Sequence, residues 1–113
     1  MNILPGEARG ATVHLAGGIT LTLDQPASGA VLYGIRPEHL DLVPPGSQGG
    51  FDVTASVVES TGTTMQIGGK AANQMIHALF ADRADIKRGE VIGLKPRPGR
   101  SHLFSAETQL RIG

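Results

Sequence analysis

Apolar and polar positions along this chain alternate with a period of two in short runs, the spacing of half-buried strands rather than helices. Between residues 11 and 23, two such runs flank Gly17-Gly18: Ala11, Val13 and Leu15, then Ile19, Leu21 and Leu23. This predicts a β-hairpin. A two-residue Gly17-Gly18 loop would pair Leu15 with Thr20 and put the two apolar sets on opposite faces. The pattern therefore selects a three-residue loop, Ala16-Gly17-Gly18, with Leu15 opposite Ile19.

Further along, residues 26–29 read as a turn and residues 30–35 as a short apolar strand. That strand stops at Arg36-Pro37, because proline disfavours helical geometry in the residue before it. Pro37-Glu38-His39-Leu40 is expected to form one tight turn, and residues 43–50 a loop of turn-formers. Phe51, Val53, Ala55 and Val57 alternate with Asp52, Thr54 and Ser56, the clearest strand in the chain. Ser60-Thr61-Gly62 turns it, residues 64–67 return, Gly68-Gly69-Lys70 reads as another turn, and residues 74–80 form a strand by context. Residues 81–88 are polar. Gly89, free to take positive φ, precedes a strand at 91–95 that ends in the turn 96–99. Two short β pieces, 102–104 and 110–112, close the sequence around a polar turn at 105–109.

Some eight short strands in 113 residues imply closure, since a small open sheet would leave exposed edges. The expected fold is all-β: a small OB-fold-like barrel of short antiparallel strands, in a single domain over residues 1–113. Composition agrees, with 16 Gly and 7 Pro and only 18% charged residues, a balance that suits many short elements joined by turns. A formal net charge of zero removes any overall field toward nucleic acid or an anionic membrane. Without cysteine there is no disulfide, thiolate nucleophile or thiolate metal site, which fits a reducing compartment. No apolar run approaches the roughly 20 residues of a membrane span, and residues 1–10 lack the blocks of a signal peptide. The strand pattern begins almost at Met1, as in a domain taken from a longer protein.

The chemistry-bearing patterns are incomplete. A phosphate-cradling loop needs G-x-x-x-x-G-K-[ST]; here Gly69-Lys70 is followed by Ala71, and Thr64 stands where the first glycine belongs. His14, His39, His77 and His102 are far apart and lack the short spacing of helical metal motifs. No serine lies in a G-x-S-x-G elbow. Lys87, Arg88, Lys95, Arg97 and Arg100 surround the 91–95 strand, but Tyr33, Phe51, Phe80 and Phe104 are the only aromatics, and the three Phe are expected in the core. A single-strand nucleic-acid surface would need stacking platforms as well as charge.

The run Gly34-Ile35-Arg36-Pro37-Glu38-His39-Leu40, read after a β segment, resembles the C-terminal regulatory TOBE (transport-associated OB) domain of the ATP-binding subunits of sugar and glycerol-phosphate type ABC importers. Other segments are similar in the same order. They are the opening Met1-Asn2-Ile3-Leu4-Pro5-Gly6, Val57-Val58-Glu59-Ser60-Thr61-Gly62, Arg88-Gly89-Glu90-Val91 and His102-Leu103-Phe104. Two positions depart from the family pattern, Ser105 for the usual Asp and Gln109 for the usual Gly, so the last turn is open to a different geometry.

The resemblance implies a fragment of an ATPase subunit whose nucleotide-binding domain, with its ATP and magnesium, lies outside this chain. It implies no enzyme activity or cofactor here, and a place at the cytoplasmic side of the bacterial inner membrane. The implied partners are a second ATPase subunit, permease subunits reached through the missing domain, and a regulatory protein or small-molecule effector, with no nucleic acid. Arg36 is expected to lock the corner by pairing with Glu59 or Glu38, or else to form with Glu38 a contact surface for a partner subunit. Gly62, Gly89, Leu103 and Phe104 complete the signature positions. As a second reading, related domains sense oxyanions, for which Thr61, Gly62, Thr63 and Lys70 are the candidate ligands.

Overall fold

A computed structural model describes residues 1–60, 62–81 and 85–112. Among them are eight strands: β1 (Asn2–Leu15), β2 (Thr20–Ile35), β3 (Leu40–Val43), β4 (Phe51–Ser60), β5 (Met65–Ala71), β6 (Gln74–Phe80), β7 (Val91–Pro96) and β8 (His102–Ser105). They form two antiparallel sheets, ordered β1-β2-β8 and β3-β7-β4-β5-β6. The expected all-β, OB-like architecture is the one observed. Its core is one apolar cluster drawn from the inner faces of both sheets, with Val13, Ile35 and Ala55 fully buried. No helix among the described residues is long and apolar enough to cross a membrane.

The first hairpin has the predicted loop: Leu15 N–H donates to Ile19 O at 2.8 Å, and Val13 lies opposite Leu21. Its strands are far longer than the pattern suggests. Residues 26–29 do not end a strand but belong to β2, which pairs with β1 from Asn2↔Ile35 to Gly10↔Ala27, shifts register, and resumes at Thr12↔Thr22. Residues 23–26 thus lie opposite Ala11 alone. The turn-forming residues act as a bulge that bends a long ribbon, with Gly10 and Gly29 at φ 67 and 92. So sharp is the bend that a Cβ on Gly6 would lie 2.9 Å from the His14 carbonyl oxygen of the same strand. Asp24, on the bulge, accepts the Gly99 N–H at 3.0 Å and the Ser101 hydroxyl at 3.2 Å, tying β2 to the turn before β8.

Three other expectations are corrected. Gly68-Gly69-Lys70 is not a turn; β5 runs through it, and the chain reverses at Ala72-Asn73, both at positive φ (51 and 61), as a two-residue hairpin turn requires. In β4 the register shifts between Ala55 and Val57, so Val57 is 43% exposed and Val58 packs against the core instead. Residues 110–112 make one isolated bridge, Phe104↔Arg111, rather than a strand. The two departures in the last turn are accommodated. Gln109 takes φ 61, the left-handed geometry a glycine adopts freely, and the Ser105 hydroxyl accepts the Thr108 N–H at 3.4 Å.

Tyr33 is buried in the core, and burial raises its pKa, with Asp24 adding to the shift and the Ser101 hydroxyl opposing it. A raised folded-state value favours the neutral phenol in the native state. The resulting stability is complete below the unfolded value of about 10 and is lost as pH rises through the folded one. With one Tyr and no Trp in the sequence, phenolate absorbance reports this group alone. Its titration midpoint is expected above the value measured for the same chain in urea, and to coincide with loss of the β circular dichroism signal; equal midpoints would refute this.

Candidate contact site at the 34–40 corner

The corner alternates anchors and exposed groups. Ile35 and Leu40 are buried, and Gly34 is covered, whereas Arg36 and Glu38 face solvent. Arg36 is extended (φ −73, ψ 146), as the residue before a proline should be, and Pro37–His39 form a single 3-10 turn. His39 N–H donates to Arg36 O at 3.0 Å, Leu40 N–H donates to Pro37 O, and Arg97 N–H donates to His39 O at 2.9 Å, which fastens the turn to the end of β7. The signature is thus a bend between the two sheets, built so that its charged side chains point outward.

Arg36 does not lock the corner through Glu59 or Glu38. It takes part in neither the ion pair of Arg9 with Glu7 at 3.4 Å nor that of Arg97 with Asp41 at 2.9 Å. Pro37 redirects the chain so that Arg36 lies on the His102 side, while Glu38 and Glu59 line a groove on the other. Burial first, then the positive charges of Arg111, Arg36 and His39, lowers the His102 pKa below the usual imidazole value. Arg36→Ala is therefore expected to leave the melting temperature unchanged at low micromolar protein, within the roughly 0.5 kcal/mol typical of surface substitutions. A drop of many degrees would restore the locking role.

Two grooves flank Glu38. One, of about 320 Å³, is lined by Pro37, Glu38, Val57, Glu59, Gln66, Gly68 and His77. It brings together two signature segments twenty residues apart in sequence, because the register places Glu59 opposite Gln66 and Gly68 opposite His77 on the outer face of β4-β5-β6. The other, of about 540 Å³, lies between β3 and β6 with His39, Leu42, Phe80 and Arg97 among its lining. The His39 Nδ1 beside it is buried without a hydrogen-bond partner. Sequence reasoning singled out Glu38 and Glu59 but missed Val57, Gln66 and His77; the bulge that exposes Val57 has no marker in the alternation.

The remaining candidates are dispersed. Gly62 and Gly89 take positive φ (77 and 91) at turns. Leu103 is buried, but Phe104, expected in the core, lies half-exposed on the outer face of β8 opposite Leu32. Gly62 and Thr63 sit at the β4–β5 tip while Lys70 faces Thr54 at the far end of β5, about 17 Å away at strand rise. They do not converge within one chain, and Thr61 lies outside the described residues. Gly69 and Lys70 are paired into the sheet on both sides, so their segment offers no phosphate cradle and does not fit a nucleotide. On the basic rim Arg97 is engaged by Asp41, and Tyr33 and Phe51 are buried, which removes them as stacking platforms.

An all-β domain of two antiparallel sheets joined by a surface bend belongs to the class of small OB-type domains. Residues 33–104 match the TOBE domain family, and the chain belongs to it. It is similar to the ABC transporter ATP-binding protein y4oS of Sinorhizobium fredii, with 39% identity over 91% of this chain and 26% of that protein. It is also similar to the sn-glycerol-3-phosphate import ATP-binding protein UgpC of Cereibacter sphaeroides, with 30% identity over 99% of this chain and 32% of that protein. A third relative is the diacetylchitobiose uptake system ATP-binding protein MsiK of Streptomyces coelicolor, 30% identical over 73% of this chain and 26% of that protein. The chain thus spans about a quarter to a third of the length of the curated relatives it matches. In fold it resembles the cytoplasmic molybdate-binding protein ModG in its molybdate-bound form, with a TM-score of 0.74 at 16% identity, covering 92% of this chain and 95% of that one.

Proposed function

We propose that this domain is the regulatory and dimerisation module of the ATP-binding subunit of an ABC importer for a sugar or glycerol 3-phosphate. The observation that carries this reading is the convergence of the 34–40 corner and the Glu59 segment on an exposed groove, where they are free to meet another protein. The import systems named for the UgpC and MsiK relatives support the transport class. In this reading ATP, magnesium and the permease subunits engage the rest of the subunit at the cytoplasmic face of the inner membrane, and the domain contributes contact rather than catalysis.

Sedimentation of the chain from micromolar to millimolar concentration tests it. A mass rising toward two chains is the expected result; a constant single-chain mass would overturn the dimerisation role. Oxyanion sensing is the competing outcome, favoured by the likeness to ModG but opposed by the separation of Gly62 and Thr63, at the β4–β5 tip, from Lys70 near the far end of β5. Calorimetry with molybdate and with glycerol 3-phosphate decides between them, and a saturable heat with either would replace the contact reading by a sensing one.

A further inference from the structure

Between β2 of one sheet and the end of β7 of the other lies a pocket of about 390 Å³ that shares no lining residue with the Glu38–Glu59 groove. That volume falls at the small end of the roughly 300–1,000 Å³ typical of small-molecule sites. Leu21, Tyr33, Pro96 and Pro98 give it apolar wall, while Asp24, Gln48, Lys95 and Ser101 bring polar groups to it. The polar four come from separate stretches: the β2 bulge, the loop between β3 and β4, the end of β7, and the turn before β8.

Several of these groups are held in place by the fold. The Asp24 carboxylate receives the Gly99 N–H on one oxygen and the Ser101 hydroxyl on the other, at 3.0 and 3.2 Å, and the Tyr33 hydroxyl is hydrogen-bonded to Ser101 in turn. An ionised carboxylate has about four lone-pair sites, so Asp24 is oriented and still has acceptor capacity on each oxygen. Lys95 extends over Gly49, where a Cβ would lie 3.3 Å from its Cε and 3.7 Å from its Nζ, so the bare glycine seats the side chain beside the pocket. Asp41, opposite Lys95 in the ladder, is engaged by Arg97 at 2.9 Å. The Lys95 ammonium and the Gln48 amide are therefore open donors, and Asp24 an open acceptor.

That mixture selects the ligand. A small anion would meet Lys95 but also the Asp24 carboxylate, and a small cation the reverse, so neither charge is matched on all sides. A planar base would find no stacking platform, because Tyr33 is the one aromatic residue in the lining and is only 1% exposed. A neutral polyol suits the array, since every hydroxyl both donates and accepts. We infer that this pocket binds a neutral monosaccharide, whose hydroxyls accept from Lys95 and donate to Asp24 and Gln48 while its carbon face rests on Pro96 and Pro98. This goes beyond the contact reading above. It gives the regulatory role an effector that spans both sheets at a place separate from the 34–40 corner.

Titration of the chain with D-glucose, D-galactose and N-acetyl-D-glucosamine, followed through its backbone amide NMR signals, tests the assignment. At least one of the three is expected to give saturable shifts centred on the Asp24, Gly49 and Gly99 amides. Lys95→Met and Gln48→Ala change exposed side chains and should each weaken that binding at least fivefold at an unchanged melting temperature, whereas Arg88→Ala, outside the pocket, should bind as the parent does. Glycerol 3-phosphate, an anionic polyol, is the contrasting probe and is expected to shift the same amides only weakly. The assignment is overturned if none of the three sugars saturates, if the shifts centre elsewhere, if either pocket variant binds like the parent, if Arg88→Ala loses as much as they do, or if glycerol 3-phosphate binds at these amides more tightly than every sugar. The titration reads a single chain, so its failure leaves the dimerisation reading standing, and a chain that never self-associates leaves the pocket standing.

Discussion

Gly69→Ala is expected to lower the melting temperature by roughly 10–20 °C, the largest effect of any glycine-to-alanine change among the described residues. Gly69 is buried in β5, where it packs against β4 so closely that a Cβ would lie 2.3 Å from both the Thr54 carbonyl oxygen and Val53 Cγ1. Neither obstacle is the free end of a flexible side chain: one is backbone, the other a branched methyl on a strand in the core. Relief requires β4 and β5 to part at the centre of the five-stranded sheet, where the register already shifts between Ala55 and Val57. Overpacking of this kind costs about 3 kcal/mol or more, and each kcal/mol moves the midpoint of a domain this size by roughly 4–8 °C.

The adjacent glycine supplies the control. Gly68 points to the outer face, where a Cβ would meet Val57 Cβ at 3.4 Å and His77 Nδ1 and Met75 Cε at 3.5 Å, ordinary contact distances. Gly68→Ala should leave the melting temperature unchanged or raise it by a few degrees, because alanine has less backbone freedom to lose on folding, about 0.4–1 kcal/mol where the native geometry suits it. Thermal melts of the two variants followed by circular dichroism are sufficient. Equal shifts, or the reverse order, would mean that β4 and β5 do not approach as described.

The same pair of glycines shows where the sequence was and was not legible. Alternation revealed the inner residues of β4 up to Ala55 and the hairpin loop at 16–18, because period two and loop length follow from local geometry. Gly68-Gly69 read as a turn because glycine at a turn and glycine under a neighbouring strand leave the same letters. Only the partner strand tells them apart, and it is distant in the chain. Residues 26–29 misled in the same way, since Pro26 and Gly29 suit a turn and a bulge equally well. The site divided likewise. The 34–40 corner is contiguous and was visible, whereas its meeting with Glu59, Gln66 and His77 depends on register across three strands. Hydrophobicity alone assigns Phe104 to the core, but its parity beside Leu103 puts it outside once Leu103 pairs with Tyr33.

Asn2→Ala is expected to destabilise the domain by about 3 kcal/mol and to abolish protection of the His77 amide from hydrogen exchange. Asn2 is the one buried polar side chain among the described residues, and it sits where the two sheets meet. Its Nδ2 donates to Ile35 O at 3.2 Å and to His77 O at 2.8 Å, while its Oδ1 accepts the His77 N–H at 2.8 Å. The carboxamide thus pairs with the outward-facing backbone of β6 as a strand residue would, joining the β1 margin of one sheet to the β6 margin of the other. Alanine leaves these backbone groups without partners, at about 1–3 kcal/mol for each that water cannot reach. Asn2→Asp discriminates further. A carboxylate would still accept from His77 N–H but would face two carbonyl oxygens, which favours its protonated form and raises its folded-state pKa above the unfolded value of about 3.9. A group so shifted contributes its stability below the unfolded value and loses it as pH rises through the folded one. Asn2→Asp should therefore regain stability relative to Asn2→Ala on acidification and be at its worst near neutral pH. Urea melts across that range give the answer. A pH-independent difference between the two variants, or an undisturbed His77 amide in Asn2→Ala, would show that the sheets are not clasped by this side chain.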